Sequence, residues 1–172
     1  MSKIYPIVKY GDAVLARPAA TVTEFATPEL RQLLEDMFDS MYAANGVGLA
    51  APQIGIGRRI AVVDCAPREG PPERMVLINP EIIHAEGKQT EEEGCLSLPG
   101  FRESVTRAMQ VTVRAQDAEG NWFERTGEEL LARAFLHETD HLNGRLFITH
   151  LSSLKRELIK KKIKKLRQDG EW

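Results

Sequence analysis

Five residues, His137-Glu138-Thr139-Asp140-His141, restrict what this chain can fold into more than any other feature of its sequence. They lie in segment 126–143, which reads as a helix. Thr126 with Glu129 makes a capping box at its start, and Gly144 suits the position just past its end. On a helix, residues four apart share a face, so the two imidazoles can grip one metal ion while Glu138, one step round, reaches a water at that ion. Leu130, Ala134, His137 and His141 follow the same spacing, so the histidines prolong a face expected to point into the core. A pair of core histidines bonded to each other is the alternative reading.

The rest of the chain supplies elements to surround that helix. Thr27-Pro28-Glu29 offers an N-cap, a proline at the first helical position and an acid in the first turn. Leu30, Leu33, Leu34, Met37, Phe38, Met41 and Tyr42 follow at helical spacing, which predicts an amphipathic helix ending near Gly46. Segments 60–64 and 75–79 are short apolar runs bounded by Gly and Pro, with 80–85 continuing the second, and all read as strands. Segments 105–116 and 122–126 flank Asp117-Ala118-Glu119-Gly120-Asn121 and predict an antiparallel hairpin. A last helix is expected over 153–168, with Leu154, Leu158, Ile159, Ile163 and Leu166 as a broad apolar side. Strands and helices come in blocks without regular alternation. That predicts an α+β fold of mostly antiparallel sheets around the central helix, with an N-terminal and a C-terminal helix.

At 172 residues the chain is expected to form a single catalytic domain over 1–172. Its 42% hydrophobic and 28% charged residues lie near the globular average, which argues against disorder and against a bulk nucleic-acid binder. No apolar stretch approaches the ~18 residues needed to span a bilayer, and the first residues lack the apolar core of a signal peptide. The expected location is therefore cytoplasmic, with no membrane partner. The net charge of −2 hides an asymmetry: Lys155 to Arg167 holds eight basic residues and one acidic, a net +7, so the remainder carries −9. A basic helix over 155–168 on an acidic body points to an anionic partner, or to a solvated helix face.

A catalytic ion needs a third protein ligand and an open position. The downstream acids Glu157, Asp169 and Glu171 read as solvated. Upstream, Glu93-Gly94-Cys95-Leu96-Ser97 presents a thiol after a small residue, and Cys95 with His137 and His141 would complete the shell. Cys65, the only other cysteine, sits at the end of an apolar run where a thiol usually acts as a small hydrophobe. If Cys65 joined the other three, the site would be closed and structural. A Cys95/His nucleophilic dyad is a further alternative. Gly46-Val47-Gly48-Leu49-Ala50-Ala51-Pro52-Gln53 reads either as a tight turn or as a place where another backbone comes close, with the Gln53 amide able to donate to an oxygen.

Taken together, Gly46 to Gln53, Glu93 to Ser97 and His137-Glu138-Thr139-Asp140-His141-Leu142-Asn143-Gly144 closely resemble the three signature motifs of peptide deformylases, in their order and approximate spacing. The resemblance runs from Pro6-Ile7-Val8-Lys9-Tyr10-Gly11-Asp12 to the terminal helix. It implies removal of the N-formyl group from the formylmethionine of new polypeptides, releasing formate. One divalent metal ion is implied on Cys95, His137 and His141; family membership favours Fe²⁺ in the cell, while the ligands also suit Zn²⁺, Ni²⁺ or Co²⁺. Glu138 would move the proton, and the Gln53 amide and the Leu96 backbone N–H would hold the carbonyl oxygen. Gly46 and Gly48 would pair with the substrate backbone, Arg102 would hold substrate carbonyls, and Arg133 would line the rim of an apolar methionine pocket. Some deformylases with a helical C-terminus engage the ribosome through it, which implies the same partner for the basic helix here. Leu136 departs from the family pattern, which has Gln before the first motif histidine. A zinc endopeptidase and a non-catalytic relative with a structural metal are the readings from other classes. His84 and His150 are assigned no role.

Overall fold

A computed structural model describes residues 2–172 of the chain. Helix α1 (Pro28–Ala43) starts where expected, with the Thr27 hydroxyl accepting from the Leu30 N–H. Seven strands follow: β1 (Gly48–Ala50), β2 (Ile60–Val63), β3 (Met75–Glu86), β4 (Gln89–Gly94), β5 (Arg102–Arg107), β6 (Gln110–Gln116) and β7 (Trp122–Glu128). Helix α2 (Leu130–Leu142) and helix α3 (Ser153–Gln168) complete the chain. The seven strands pair antiparallel, in a five-stranded sheet of order β1-β2-β3-β6-β7 and a separate β4-β5 ribbon, and one isolated parallel bridge joins Ala20 to Arg58. This is the α+β architecture expected from the blocks of elements.

The burial pattern explains why β2 carries no polar residue. Ile60 and Val62 face α1 and join Met37, Phe38 and Met41, whereas Ala61 and Val63 face the other way and join Phe135 of α2. A central strand covered on both faces must be apolar at every position. Farther along, β6 is covered on one face only, so Val111, Val113 and Ala115 are buried while Thr112 and Arg114 between them are not. A third cluster joins Leu98 and Val105 to Phe147, Ile148 and the α3 residues Ile159 and Ile163.

Two expectations about boundaries fail. The capping box at Thr126 does not form: β7 continues through Glu128, and the Thr126 hydroxyl meets that of Thr112 across the sheet at 2.7 Å. Cross-strand pairing outweighs the local cap. Only Glu129 separates β7 from α2, and it turns the chain with a φ of 54°, in the left-handed region that costs a non-glycine residue about 1 kcal/mol or more. The expected strand 105–116 is also two strands, because the chain breaks at Ala108 and Met109 and Val105 to Arg107 pair with β4 instead. On α3, Leu154 and Leu158 are exposed, so the apolar side is narrower than its spacing predicts, with Ile159 and Ile163 alone buried. Among the described residues, no helix is long and apolar enough to cross a membrane.

Candidate metal centre and peptide cavity

Three donor atoms converge between α2 and the loop after β4. His141 Nε2 lies 3.2 Å from Cys95 Sγ and 3.2 Å from His137 Nε2, and all three ligand atoms fall within 4.8 Å of one another. Such crowding suits one shared cation, since a tetrahedral shell places neighbouring N and S donors about this far apart. His137 Nδ1 is fixed by the Glu93 carboxylate at 2.8 Å, which leaves its Nε2 lone pair free for a metal. Burial opposes charge on both rings, yet the bonds from His137 to Cys95 and Glu93 hold its pKa well above the ordinary value. Burial and the neighbouring His137 charge hold His141 well below.

Glu138 is buried at the floor of the same site. Its Oε1 has no hydrogen-bond partner among the described residues. Burial, the opposing charge of His137 and repulsion from Glu93 and Asp140 leave its pKa raised to about 7, where a carboxyl can both take and give a proton. The carboxylate fits only because residue 48 is glycine: a β-carbon there would overlap Glu138 Oε2. Gly48 also exposes its backbone. The Asp64 N–H donates to the Val47 carbonyl at 2.8 Å, so Val47 and Asp64 form a hydrogen-bonded pair. By alternation along the ladder, the Gly48/Val63 pair is not hydrogen-bonded, and the Gly48 N–H and C=O point away from β2 toward the open edge of the sheet.

The Gln53 side chain is buried and held at both ends. Its Oε1 accepts from the Ala50 N–H at 3.0 Å, and its Nε2 donates toward Ser97 Oγ at 3.3 Å and Cys95 Sγ at 3.5 Å. Its amide hydrogens therefore face the donor cluster. A cavity of about 580 Å³ opens over these groups, lined by Gly46, Gly48, Gln53, Cys95, Leu96 and Arg102 together with His137 and Glu138. Apolar walls come from Leu98, Phe101, Leu130 and Ala134. Leu130 is 48% exposed, so the helix face expected to point wholly into the core opens at this end into the cavity.

Arg133 is among the residues that line this cavity, though not as an open rim residue. It is buried, and it donates to Glu93 Oε1 at 2.7 Å and to the Val105 carbonyl at 3.0 Å. Arg102 does stand at the mouth, largely exposed, 3.6 Å from Glu92. Cys65 stays outside the donor cluster, packed at the edge of the α2 core, with burial and the charges of Glu138 and Asp64 raising its pKa to about 12. The closed four-ligand site is therefore set aside. Leu136 packs against the same core, so where the family pattern has an amide this chain makes an apolar contact.

The sequence reading assigned no role to Glu93 beyond its place in the motif. Buried, it accepts from His137, from Arg107 at 2.6 and 3.1 Å and from Arg133, and these bonds hold its carboxyl well below the usual range although burial alone would raise it. Arg107 continues to Asp140 Oδ2 at 2.8 Å, which also meets His150 Nε2 at 2.8 Å. Three successive glutamates in an otherwise exposed strand gave no local sign of this, since Glu91 and Glu92 stay exposed and only Glu93 is buried.

Comparison with known proteins agrees with this geometry. The sequence profile described as Polypeptide deformylase matches residues 4–157. A peptide deformylase of Acidobacterium capsulatum is 62% identical over 169 residues, 98% of this chain and 99% of that protein. Among solved structures, a peptide deformylase from Legionella pneumophila superposes with a TM-score of 0.88 at 46% identity, covering 96% of both chains. A Met-Ala-Ser-bound class I type b peptide deformylase from Acinetobacter baumannii superposes with a TM-score of 0.83 at 37% identity, covering 88% of this chain and all of that one.

Proposed function

Because the chain belongs to the polypeptide deformylase family and is a hydrolase that removes the N-formyl group of formylmethionine from new proteins, we propose that Cys95, His137 and His141 hold its metal ion and that Glu138 carries the proton. The observation that bears most weight is the triad of donors within 4.8 Å beside a buried carboxylate whose Oε1 has no other partner among the described residues. When bound, a divalent ion there supplies a Lewis acid and brings the pKa of a water toward neutrality. Glu138 takes a proton from the attacking water and delivers it to the amine nitrogen as the formyl C–N bond breaks, leaving formate and a free N-terminus. Gln53 Nε2 and the Leu96 N–H donate to the formyl oxygen as it gains charge, each such donor lowering the barrier by about 3 kcal/mol. Family membership is the ground on which we assign Fe²⁺ in the cell, since one thiolate and two imidazoles suit Zn²⁺, Ni²⁺ or Co²⁺ equally.

The substrate backbone passes Gly46, whose N–H is held by the Met41 carbonyl, and lies along the free edge at Gly48 as an added strand, which reads a peptide without reading its sequence. Its methionine side chain enters the apolar part of the cavity by Leu98 and Ala134, and Arg102 at the mouth holds downstream carbonyls. The tripeptide Met-Ala-Ser bound by the Acinetobacter baumannii relative has the chemistry this cavity would release. Action on nascent chains supports a cytoplasmic enzyme, and the exposed lysines of α3 supply a cationic face suited to ribosomal RNA. Metal analysis of anaerobically purified protein, paired with formate release from formyl-Met peptides, tests the reading. Stoichiometric iron and turnover are expected. Cleavage of unformylated peptides without formate release would favour an endopeptidase, and metal without turnover a structural site.

A further inference from the structure

Phe101 forms part of the cavity wall, and it has a partner that the chemistry leaves unexplained. The Trp172 ring meets it edge-on, with centroids 6.0 Å apart and planes 67° apart. Trp172 is itself pinned. Its Nε1 donates to the Tyr10 carbonyl at 3.1 Å, and Arg167 of α3 donates to the same carbonyl at 2.5 Å. The Arg167 guanidinium occupies the space over Gly11 that any β-carbon would fill, and Gly11 has a φ of 106° that only glycine adopts readily. The Lys9 ammonium adds a contact 5.7 Å from the Trp172 ring centre. The segment so clasped reaches the site directly: the Tyr10 N–H donates to the Ser97 carbonyl and the Val8 N–H to the Gln53 carbonyl, both at 2.8 Å.

We propose that Trp172 is a positioning residue for substrate binding, whose ring, anchored on Tyr10, holds Phe101 in place so that the cavity wall is formed before the peptide enters. The inference rests on the reading that this cavity receives the formylmethionyl end. A wall set in advance lowers the ordering that binding demands, so its loss appears in KM, whereas the groups that move protons and hold the oxygen are untouched and kcat stands. An aromatic pair of this geometry contributes a factor of roughly 2 to 12.

The test is steady-state hydrolysis of formyl-Met-Ala-Ser by metal-loaded enzyme, with turnover by the unsubstituted chain in the same assay testing the reading of the site separately. Trp172→Ala is expected to raise KM roughly 2- to 12-fold with kcat within about twofold. Trp172→Phe, which keeps a ring but no N–H, is expected to recover most of the KM. In a Phe101→Ala background, Trp172→Ala should change KM no further, because the two act as one unit. An unchanged KM in Trp172→Ala overturns the proposal. So does a fall in kcat at constant KM, which would assign Trp172 to the Gln53 connection, and so does a full effect persisting without Phe101.

Discussion

Of the 13 residues of α2, eight are buried, Arg133 and Glu138 among them, whereas α3 buries only Ile159 and Ile163 of its 16. Both helices carry apolar residues at helical spacing and both carry many ionisable ones. What separates them is where the ionisable groups find partners. In α2 three of them are answered from another element, Arg133 by Glu93 and by the Val105 carbonyl, Asp140 by Arg107 and His137 by Glu93, while Glu138 Oε1 has no hydrogen-bond partner among the described residues. In α3 the lysines project into solvent, and the ion pairs that do form, Lys155 with Glu103 and Lys160 with Glu157, are long and exposed. Pairs of that kind contribute little to stability. The comparison teaches that a helix is made into a site by the charges it buries and by the distant residues that must then balance them.

The largest expected effect lies at the buried charge with the least protein support. Glu138→Ala should lower deformylation about 10²- to 10⁴-fold while retaining stoichiometric metal, because the glutamate moves protons without coordinating the ion; metal analysis and formate release on the same sample check it. Next comes the partner supplied from outside the helix. Glu93→Gln leaves Arg133 without its buried counter-charge and Arg107 with Asp140 alone, and weakens the hold on the His137 ring, so denaturant unfolding should show a loss of about 3–5 kcal/mol and metal affinity should fall about 10- to 100-fold. Stability equal to the parent would remove the contrast between the two helices.

Cys65 sharpens the comparison from the neighbouring core. A thiol raised to about 12 holds its proton through neutral pH, and only the thiolate is nucleophilic. Alkylation of Cys65 in the folded protein should therefore be slow at pH 8, accelerate as pH rises toward 12, and become fast at pH 8 once the chain is unfolded; mass spectrometry of the labelled peptide reads it. Cys65→Ser should cost about 1 kcal/mol without loss of metal, and equal metal loss in Cys65→Ser and Cys95→Ser would restore the four-ligand site. The smallest effect on the isolated enzyme is expected at α3. Reversing Lys160, Lys161, Lys164 and Lys165 to Glu should leave hydrolysis of short formyl-Met peptides unchanged while weakening co-sedimentation with ribosomes at low salt. Unchanged co-sedimentation would leave α3 as a solvated helix.

The donor trio and its carboxylate were legible in the linear chain because their geometry is mostly local. His137, Glu138 and His141 are placed by the helical repeat alone, and a small residue before Cys95 marks a thiol set for close approach. The start of α1 and the span of α3 were likewise readable, since capping by Thr27 and Ser152 acts over three residues. Other features depended on residues far apart in sequence. The start of α2 was misread because Thr126 has two partners to choose from, a helix end nearby and Thr112 across the sheet, and the ladder wins. Glu93 became a buried counter-ion through arginines 14 and 40 positions away, and Gly48 became obligatory through Glu138, 90 positions later. A periodic pattern can say which side of an element faces inward. Which charge or backbone meets it there follows from packing, because a buried charge is tolerated only where the assembled fold brings its counterpart within hydrogen-bonding distance.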